Sequence, residues 1–366
     1  MRCAIIFFLL PLILNAVTPD VYVWQRKHTP ALESGIIEFQ KGGGGKFYFL
    51  AGELENDKTV SVPYPYFDFM HSRRITPVIR IHVKHLQTAP EKLVQKVLKL
   101  YAPWQKCNSL QIDLDAPESK INYYTAFMKA LRKQLPGVEL SATVLPCHLR
   151  HKTEFTLLAK AVDFYVLQIH GLEKRHDQWQ LMDKNTALNA ISRAVNLKQP
   201  FKIAIPIYSH NINGKTIKPD LLLVRQICRY ANQNKIGIII FRLWARGDGE
   251  TLFVDAALDI CRNTGKYPSK VAHHWKQTAD GAWHLYIRNF GYFSEKVTLN
   301  LQWAPKFEIS DADTFNGAEL SFDRSTLTLT LPPDQEEKAF LWLRTPAPFD
   351  KCNSPLTITQ KDTAKK

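Results

Sequence analysis

The chain has 366 residues, of which 45% are hydrophobic and 22% are charged. This composition excludes a disordered chain and a low-complexity scaffold, because a chain this apolar can build a core. The formal net charge is +14, from 48 Lys and Arg against 34 Asp and Glu. Such a charge indicates anionic surroundings such as polysaccharide, a membrane surface or nucleic acid, and it says nothing about the fold.

The first sixteen residues have the pattern of a secretory signal peptide. Met1 and Arg2 precede an apolar stretch from Cys3 to Leu14, and Asn15-Ala16 offers a cleavage site. The stretch is too short to span a bilayer. We therefore expect residues 1–16 to be a signal peptide and the chain to be exported, to a bacterial periplasm or medium. No stable membrane insertion is expected after cleavage.

Short apolar runs recur along residues 17–265, and most are followed by a segment with helical hydrophobic spacing. The eight runs begin at Val21, Lys46, Ile75, Leu110, Val138, Val162, Phe201 and Ile236. Eight strands separated by helices are typical of a (β/α)8 barrel of the TIM type. An open doubly wound sheet is the alternative, but no Gly-rich dinucleotide turn follows the first strand.

After residue 265 the helical segments stop, and apolar and polar residues alternate in segments such as KVTLNLQW and KAFLWLRTP. This alternation predicts a small antiparallel β-sandwich over residues 266–346. Residues 347–366 are polar and Lys-rich, and we expect a disordered tail. The predicted fold class is therefore α/β, a (β/α)8 barrel followed by a β-sandwich.

Five cysteines remain after the signal peptide: Cys107, Cys147, Cys228, Cys261 and Cys352. An odd number leaves at least one thiol unpaired within the chain, and the spacings match no zinc pattern. Cys228 and Cys261 lie on successive predicted helices, where they either pair or remain as two buried thiols. We expect no cofactor and no metal ion.

Polar and aromatic residues cluster at the predicted carboxyl ends of the barrel strands, where the chemistry of such barrels gathers. In LQIDLDAP, Gln111, Asp113 and Asp115 share the parity that points inward. The same test selects Trp24, Arg26, Glu53, Arg80, His82, Gln168, His170, Tyr208, Arg242 and Trp244, and it leaves the fifth strand ambiguous. Because buried polar groups are costly unless paired, this set predicts a binding site. The alternative is a buried salt-bridge network of the arginines and carboxylates.

Asp113 and Asp115 are the sharpest feature of this set. Their like charges should raise the pKa of one of them, so that it holds a proton near neutral pH. That property suits a general acid acting on a glycosidic oxygen, or a group that orients the substrate. Trp24 and Trp244 offer flat faces for sugar rings, unless they only fill the barrel.

The histidines support a different hypothesis. His82, His170 and His210 lie at strand ends and His148 follows the fifth strand, so they could join an aspartate in a metal site. The chain contains no H-x-H or H-E-x-x-H motif.

Several segments together resemble an exported bacterial family described as domain of unknown function 3142. They are VYVWQRKHTPAL, LQIDLDAPESK, LSATVLPCHL, DFYVLQIHGLE and FKIAIPIYSH. The resemblance covers most of residues 20–345. It implies a glycoside-hydrolase-like (β/α)8 barrel with a trailing β-domain.

A more distant similarity is to family 18 glycoside hydrolases, whose fourth strand carries D-x-x-D-x-D-x-E. Asp113 and Asp115 match the second and third acidic positions. Leu110 replaces the first, and Pro117 stands where the catalytic Glu is expected, with Glu118 one residue later. In that family the last Asp orients the 2-acetamido group of the substrate, so the similarity implies an orienting role for Asp115.

We therefore predict an exported glycosidase that acts on a polysaccharide or oligosaccharide, with the positive charge favouring an anionic one. The expected catalytic residues are Asp115 as the main acid or orienting group, Asp113 as the residue that tunes it, and Glu118 or Glu53 as a second carboxylate. Tyr208, His170 and the arginines would bind the substrate. The alternatives are a carbohydrate-binding barrel without catalysis and a metal-dependent, deacetylase-like hydrolase. Nucleic acid is not an expected partner, because the basic residues are dispersed.

Overall fold

The structure is a computed structural model that describes residues 16–56, 58–63, 71–175, 178–245, 254–262, 271–289, 295–303, 308–331, 338–345 and 356–360. The chain divides into two compact units, residues 1–264 and 265–366. Residues 1–15 of the predicted signal peptide lie outside the described residues.

The first unit is built around a closed parallel sheet. Its strands are β1 (Asp20–Val23), β2 (Phe47–Leu54), β3 (Thr59–Ser61), β4 (Ile75–Ile81), β5 (Ser109–Asp113), β6 (Glu139–Val144), β7 (Phe164–Gln168), β8 (Glu173–Arg175), β9 (Gln178–Gln180), β10 (Phe201–Pro206), β11 (His210–Ile212), β12 (Lys215–Ile217) and β13 (Gly237–Phe241). Eight of these described strands pair in the order β1-β2-β4-β5-β6-β7-β10-β13, and β13 returns to β1. The predicted (β/α)8 barrel is confirmed.

Helices separate the barrel strands and cover the outside of the sheet. They are α1 (Pro30–Lys41), α2 (Pro90–Tyr101), α3 (Ile121–Gln134), α4 (Lys152–Ala159), α5 (Lys184–Asn196), α6 (Leu221–Gln233) and α7 (Val254–Arg262). Side-chain oxygens of Thr29, Asp183 and Asp220 accept backbone N–H groups in the first turns of α1, α5 and α6, and such caps fix where a helix begins. None of the helices in the described part of the chain has the length and apolarity needed to cross a membrane.

The inside of the barrel is filled by side chains. Tyr22, Tyr48, Val78, Val166, Ala204 and Ile239 form a buried cluster there. At the amino-terminal end, Lys202 Nζ lies 2.7 Å from Asp20 Oδ2 and 3.1 Å from the Tyr48 hydroxyl oxygen. The barrel is therefore a packed core with no channel through this layer, and it leaves the carboxyl ends of the strands as the place for a site.

The second unit contains two antiparallel sheets. Its strands are β14 (Val271–Gln277), β15 (Trp283–Asn289), β16 (Glu295–Trp303), β17 (Asp311–Thr314), β18 (Glu319–Leu320), β19 (Thr326–Leu331), β20 (Lys338–Arg344) and β21 (Leu356–Gln360). The sheets have the orders β14-β15-β20-β17 and β18-β19-β16-β21. Leu285 and Leu341 of one sheet share a buried cluster with Leu299 and Leu327 of the other, as expected for a small sandwich.

Strand β21 departs from the sequence-based expectation of a disordered tail from residue 347. It pairs with β16, with Leu356 opposite Trp303 and Gln360 opposite Leu299. The segment LTITQ alternates apolar and polar residues as its neighbours do, so it suits a strand with one face toward a core. The Lys-rich residues around it hid this short pattern.

Candidate active site

Asp113 is the last residue of β5 and is only 7% exposed. Its Oδ1 accepts a hydrogen bond from Thr143 Oγ1 at 2.8 Å, on the neighbouring strand β6. The same oxygen accepts one from Gln168 Nε2 at 2.9 Å, at the end of β7. Within the described part of the chain Oδ2 receives no hydrogen bond. One oxygen is thus fixed by two donors, and the other is left for a proton or a ligand.

The surroundings of Asp113 favour its protonated form. Burial raises the pKa of Asp113 to about 7, and the negative charge of Asp115 adds to the effect. The hydrogen bond from Thr143, the charge of Arg80 and the hydrogen bond from Gln168 oppose it. Because Oδ1 is already an acceptor twice, the proton belongs on Oδ2. Asp113 therefore exchanges a proton near neutral pH, as a general acid must.

Asp115 occupies a different environment from Asp113. It lies two residues beyond the end of β5, and its side chain is exposed. Its charge nevertheless contributes to the raised pKa of Asp113. Although the residue is exposed, partial burial of its carboxyl group raises the pKa of Asp115 as well, and the charges of Arg80 and His148 oppose that shift. The two carboxylates thus differ in exposure, and the surroundings of both favour the protonated form.

Glu53 reaches the site through an irregularity in β2. Between β2 and β4, Leu50 pairs with Val78 while Gly52 pairs with Ile79, so Ala51 is an extra residue. A bulge of this kind re-aims the side chains that follow it. Here it sets Glu53 opposite Arg80, and Arg80 is in turn opposite Asp113 on β5.

Glu53 holds two arginines. Its side chain is 1% exposed, with Oε2 2.5 Å from Arg26 Nε and Oε1 3.0 Å from Arg26 Nη2. Arg80 Nη1 lies 3.3 Å from Oε1. Burial acts to raise the pKa of Glu53, but the hydrogen bond and charge of Arg26, with the charge of Arg80, outweigh it and leave the pKa lowered. Glu53 is therefore an anion that positions the guanidinium groups of Arg26 and Arg80, whose side chains are 59% and 44% exposed. The ion pairs of Glu53 with Arg26 and Arg80 belong to the salt-bridge network considered as an alternative in the sequence analysis, and they do form.

Aromatic rings form a wall beside these charged groups. Phe241, the last residue of β13, contacts Trp24 with ring centroids 5.4 Å apart and Tyr208 at 5.3 Å. The His170 ring stacks on Phe241 at 5.1 Å. Burial lowers the pKa of His170 to about 4, so the ring is neutral at neutral pH. Its Nε2 is buried without a hydrogen-bond partner among the described residues.

The predicted parity of the eighth strand was wrong. Ile239 and Phe241 belong to the interior cluster, whereas Arg242 and Trp244 come after the strand and are half-buried. IGIIIF is apolar at every position after Gly237, and a run without alternation cannot show which parity points inward. Arg242 nevertheless lies close enough to the aromatic wall for its charge to lower the pKa of Tyr208, against the larger effect of burial.

Sequence reasoning missed Thr143 as well as Phe241. Ser141 and Thr143 face the interior from β6, where Ser141 Oγ accepts a hydrogen bond from Gln111 Nε2 at 3.2 Å. Gln111 Oε1 in turn accepts one from the Tyr22 hydroxyl at 2.7 Å. Ser141 and Thr143 are spaced by two between the apolar residues Leu140, Ala142 and Val144, and this alternation could have shown which side of β6 faces the interior.

Glu118 has a separate set of partners. Its Oε2 lies 2.9 Å from His151 Nε2 and its Oε1 lies 3.5 Å from Arg150 Nη1. The hydrogen bond with His151 lowers the pKa of Glu118, aided by the charge of Arg150. A general acid needs the opposite shift.

Two of the histidines proposed as metal ligands, His82 and His148, bind backbone groups instead. His82 Nδ1 accepts the backbone N–H of Lys84 at 3.2 Å and caps the 3₁₀ helix Val83–Gln87. His148 Nε2 lies 2.7 Å from the Ala116 carbonyl oxygen, and its Nδ1 accepts the backbone N–H of Leu145. Among the described residues, no group of three or more His, Cys, Asp or Glu side chains is arranged to hold a metal ion.

Comparison with known proteins identifies one family. The model of the family described as Domain of unknown function (DUF3142) matches residues 71–220, which confirms the resemblance over that part of the chain. No curated protein matches.

Similar solved structures include the GH18 chitinase ChiB from the chitin utilization locus of Flavobacterium johnsoniae, with 14% identity over 68% of this chain and 94% of that one and a TM-score of 0.47. Chitinase ChiA74 from Bacillus thuringiensis is 7% identical over 94% of this chain and 100% of that one, with a TM-score of 0.48. An alpha-L-arabinofuranosidase from Thermotoga maritima is 9% identical over 90% and 96%, with a TM-score of 0.38.

Proposed function

We propose that this protein is an exported glycosidase in which Asp113 protonates the glycosidic oxygen of a polysaccharide. The observation that carries the proposal is the carboxyl group of Asp113. Its Oδ1 accepts two hydrogen bonds, its Oδ2 accepts none from the residues that the structure describes, and burial raises its pKa to about 7. In the reaction the proton passes from Oδ2 to the leaving oxygen as the bond between that oxygen and the anomeric carbon breaks. A water molecule then forms the new bond to the anomeric carbon, and the proton it loses restores the acid form of Asp113. Thr143, Gln168 and Arg80 then stabilise the carboxylate, since each favours its charged form.

Asp115 would orient the substrate or the attacking group from the solvent side. Its exposure leaves it able to contact a ligand, and its position matches the orienting Asp of the D-x-x-D-x-D-x-E pattern. The acid function moves to Asp113 because Pro117 stands at the expected Glu position and Glu118 has a lowered pKa.

The substrate would lie across the aromatic wall. Trp24 is half-buried, packs edge-on against Phe241 and keeps part of its surface for a sugar ring. Tyr208 and His170 would supply hydrogen-bonding atoms beside it. Sugar rings suit such a wall because their apolar C–H faces bury against flat aromatic surface while their hydroxyls bond to the polar groups around it.

Arg26 and Arg80 favour a substrate that carries acidic groups. Glu53 uses one edge of each guanidinium, so N–H donors remain on the exposed parts. A planar guanidinium binds a carboxylate or sulfate with two parallel hydrogen bonds. The net charge of +14 acts in the same direction at longer range.

A carbohydrate-binding protein without catalysis is the second candidate. The observation that favours it is Glu118, which lies next to the expected acid position but is held as an anion by Arg150 and His151. In that case glycans would bind and no bond would be cleaved. Export itself is proposed from the pattern of residues 1–16.

The test uses the exported full chain with its Asp113→Asn, Asp115→Asn and Glu118→Gln variants on a panel of acidic and neutral bacterial glycans. New reducing ends and released acetate are both followed, with and without chelator. We expect reducing ends from the wild type and from Glu118→Gln, and none from Asp113→Asn. Activity retained by Asp113→Asn would refute the assignment of the acid. Binding measured by a shift in Tm without products would support the binding protein, and acetate release abolished by chelator would support a metal-dependent hydrolase.

A further inference from the structure

Two buried cysteines meet between the last two helices of the barrel. Cys228 lies on α6 and Cys261 on α7, and both are 0% exposed. Their thiols are hydrogen-bonded to each other. The helices are joined further by Asn232, whose Nδ2 donates to the Cys261 carbonyl oxygen at 2.8 Å. The two cysteines are free thiols in this structure, and they lie next to each other between α6 and α7.

The other described cysteines have different surroundings. Cys107 is buried in the 3₁₀ helix Ala102–Cys107, near Tyr101. Cys147 is partly exposed and interacts with Glu118. Within the described residues, Cys228 and Cys261 are thus the pair whose sulfur atoms are close enough to react with each other.

We propose that Cys228 and Cys261 form a disulfide bond that fastens α7 to α6 when the chain folds in an oxidising compartment. The two cysteines are 33 positions apart, and the loop between them contains β13 with Phe241, Arg242 and Trp244. The bond would hold in place the segment that closes the barrel and carries part of the candidate site. This inference does not depend on which glycan the site takes, or on whether it takes one.

The chemistry is a thiol–disulfide exchange. Each thiol loses its proton, the two sulfur atoms form one S–S bond, and two electrons reduce the disulfide of the oxidant to two thiols. The oxidant is a small disulfide such as oxidised glutathione, or the disulfide of an oxidoreductase in the compartment. Burial raises the pKa of the Cys261 thiol, so little thiolate is present in the folded protein. The exchange therefore belongs to folding, before α7 packs on α6, and the finished bond is protected.

The first experiment is performed on the wild-type chain, isolated after export, unfolded without reductant and alkylated. We expect Cys228 and Cys261 in one cross-linked pair of peptides about 2 Da lighter than the two reduced peptides, with Cys107 and Cys147 alkylated. Reduced protein refolded with oxidised glutathione should give the same pair. Alkylation of both Cys228 and Cys261 in both preparations would overturn the proposal.

The second experiment measures the effect on stability. Closing a loop of this length stabilises a protein chiefly through its unfolded state. Wild type that is reduced in denaturant and refolded in reductant should therefore have a Tm roughly 5–10 °C below that of the oxidised protein. The double variant Cys228→Ser, Cys261→Ser should lack this sensitivity, and Cys107→Ser should keep it. Equal Tm values for the oxidised and the reduced wild type, with the redox state of both cysteines checked by alkylation, contradict the stabilising role even if the bond forms.

Discussion

Replacement of Asp113 by Asn separates the stability of the barrel from its proposed activity. Asn keeps an oxygen that can accept the hydrogen bonds of Thr143 and Gln168, but it carries neither a charge nor a transferable proton. We expect Asp113→Asn to abolish glycan hydrolysis and to be more stable than the wild type above neutral pH. A carboxyl group whose ionisation is disfavoured in the folded protein lowers the free energy of unfolding at any pH where the unfolded chain has lost the proton.

The magnitude follows from the two pKa values of this carboxyl group. The value is 3.8 without the influence of the fold and about 7 in the folded protein. From pH 5 to pH 7 the unfolded chain has lost this proton while the folded protein keeps it, so stability falls as pH rises. The slope is about 1.36 kcal/mol per pH unit, which gives a loss of about 2.7 kcal/mol that levels off above pH 7. Because Asn does not titrate, the stability of the variant relative to the wild type should rise by about 2 to 3 kcal/mol between pH 5 and pH 8.

Urea unfolding of both proteins at pH 5 and pH 8 measures this change. Glu118→Gln is the matched control, because the pKa of Glu118 is lowered rather than raised and the same increase should not occur. If the difference between Asp113→Asn and the wild type is equal at the two pH values, Asp113 is ionised throughout and cannot be the acid. A variant that is less stable than the wild type at pH 8 would contradict the reasoning as directly.

Three further substitutions test the framework of the site. Ala at Gly35 would place a Cβ 2.2 Å from the carbonyl oxygen of Trp244. Although Ala favours helices, Gly35→Ala should therefore lower the free energy of unfolding by about 2 kcal/mol. A gain in thermal stability would contradict this. Thr143→Val removes a hydrogen bond that lowers the pKa of Asp113, so that pKa should rise by about one unit in an NMR titration. Glu53→Gln should cost about 1 to 3 kcal/mol in urea unfolding at pH 7. Because the folded pKa of Glu53 is lowered, this cost should shrink as pH falls below about 4.

The sequence predicted the barrel and the fourth strand well because their patterns are unambiguous. Eight apolar runs separated by helical segments allow few other folds. In LQIDLDAP the polar residues all share one parity, and Gln111 and Asp113 do point inward, as their hydrogen bonds to Ser141 and Thr143 show. Where one parity is polar and the other apolar, burial decides the orientation of the strand before any tertiary structure is known.

The failures lie where that contrast is missing or where neighbouring strands decide the outcome. The eighth strand is apolar on both parities, so its orientation depends on strands it contacts in space and not on its own composition. The bulge at Ala51 that brings Glu53 to Arg80 exists only as a mismatch between two strands. The bulge therefore cannot be predicted from the sequence of either strand alone.

The different surroundings of Asp113 and Asp115 have the same origin. The two residues are equivalent by parity, but β5 ends at Asp113 while β6 continues to Val144 and β7 reaches Gln168. Asp113 therefore lies beside hydroxyl and amide donors from two neighbouring strands, and Asp115 lies beyond its own strand in solvent. The end of β5 thus separates a buried carboxyl group fixed by two donors from a more exposed one, and burial raises the pKa of both. The proposed acid function of Asp113 rests on this difference in hydrogen bonding, and not on the D-x-D spacing alone.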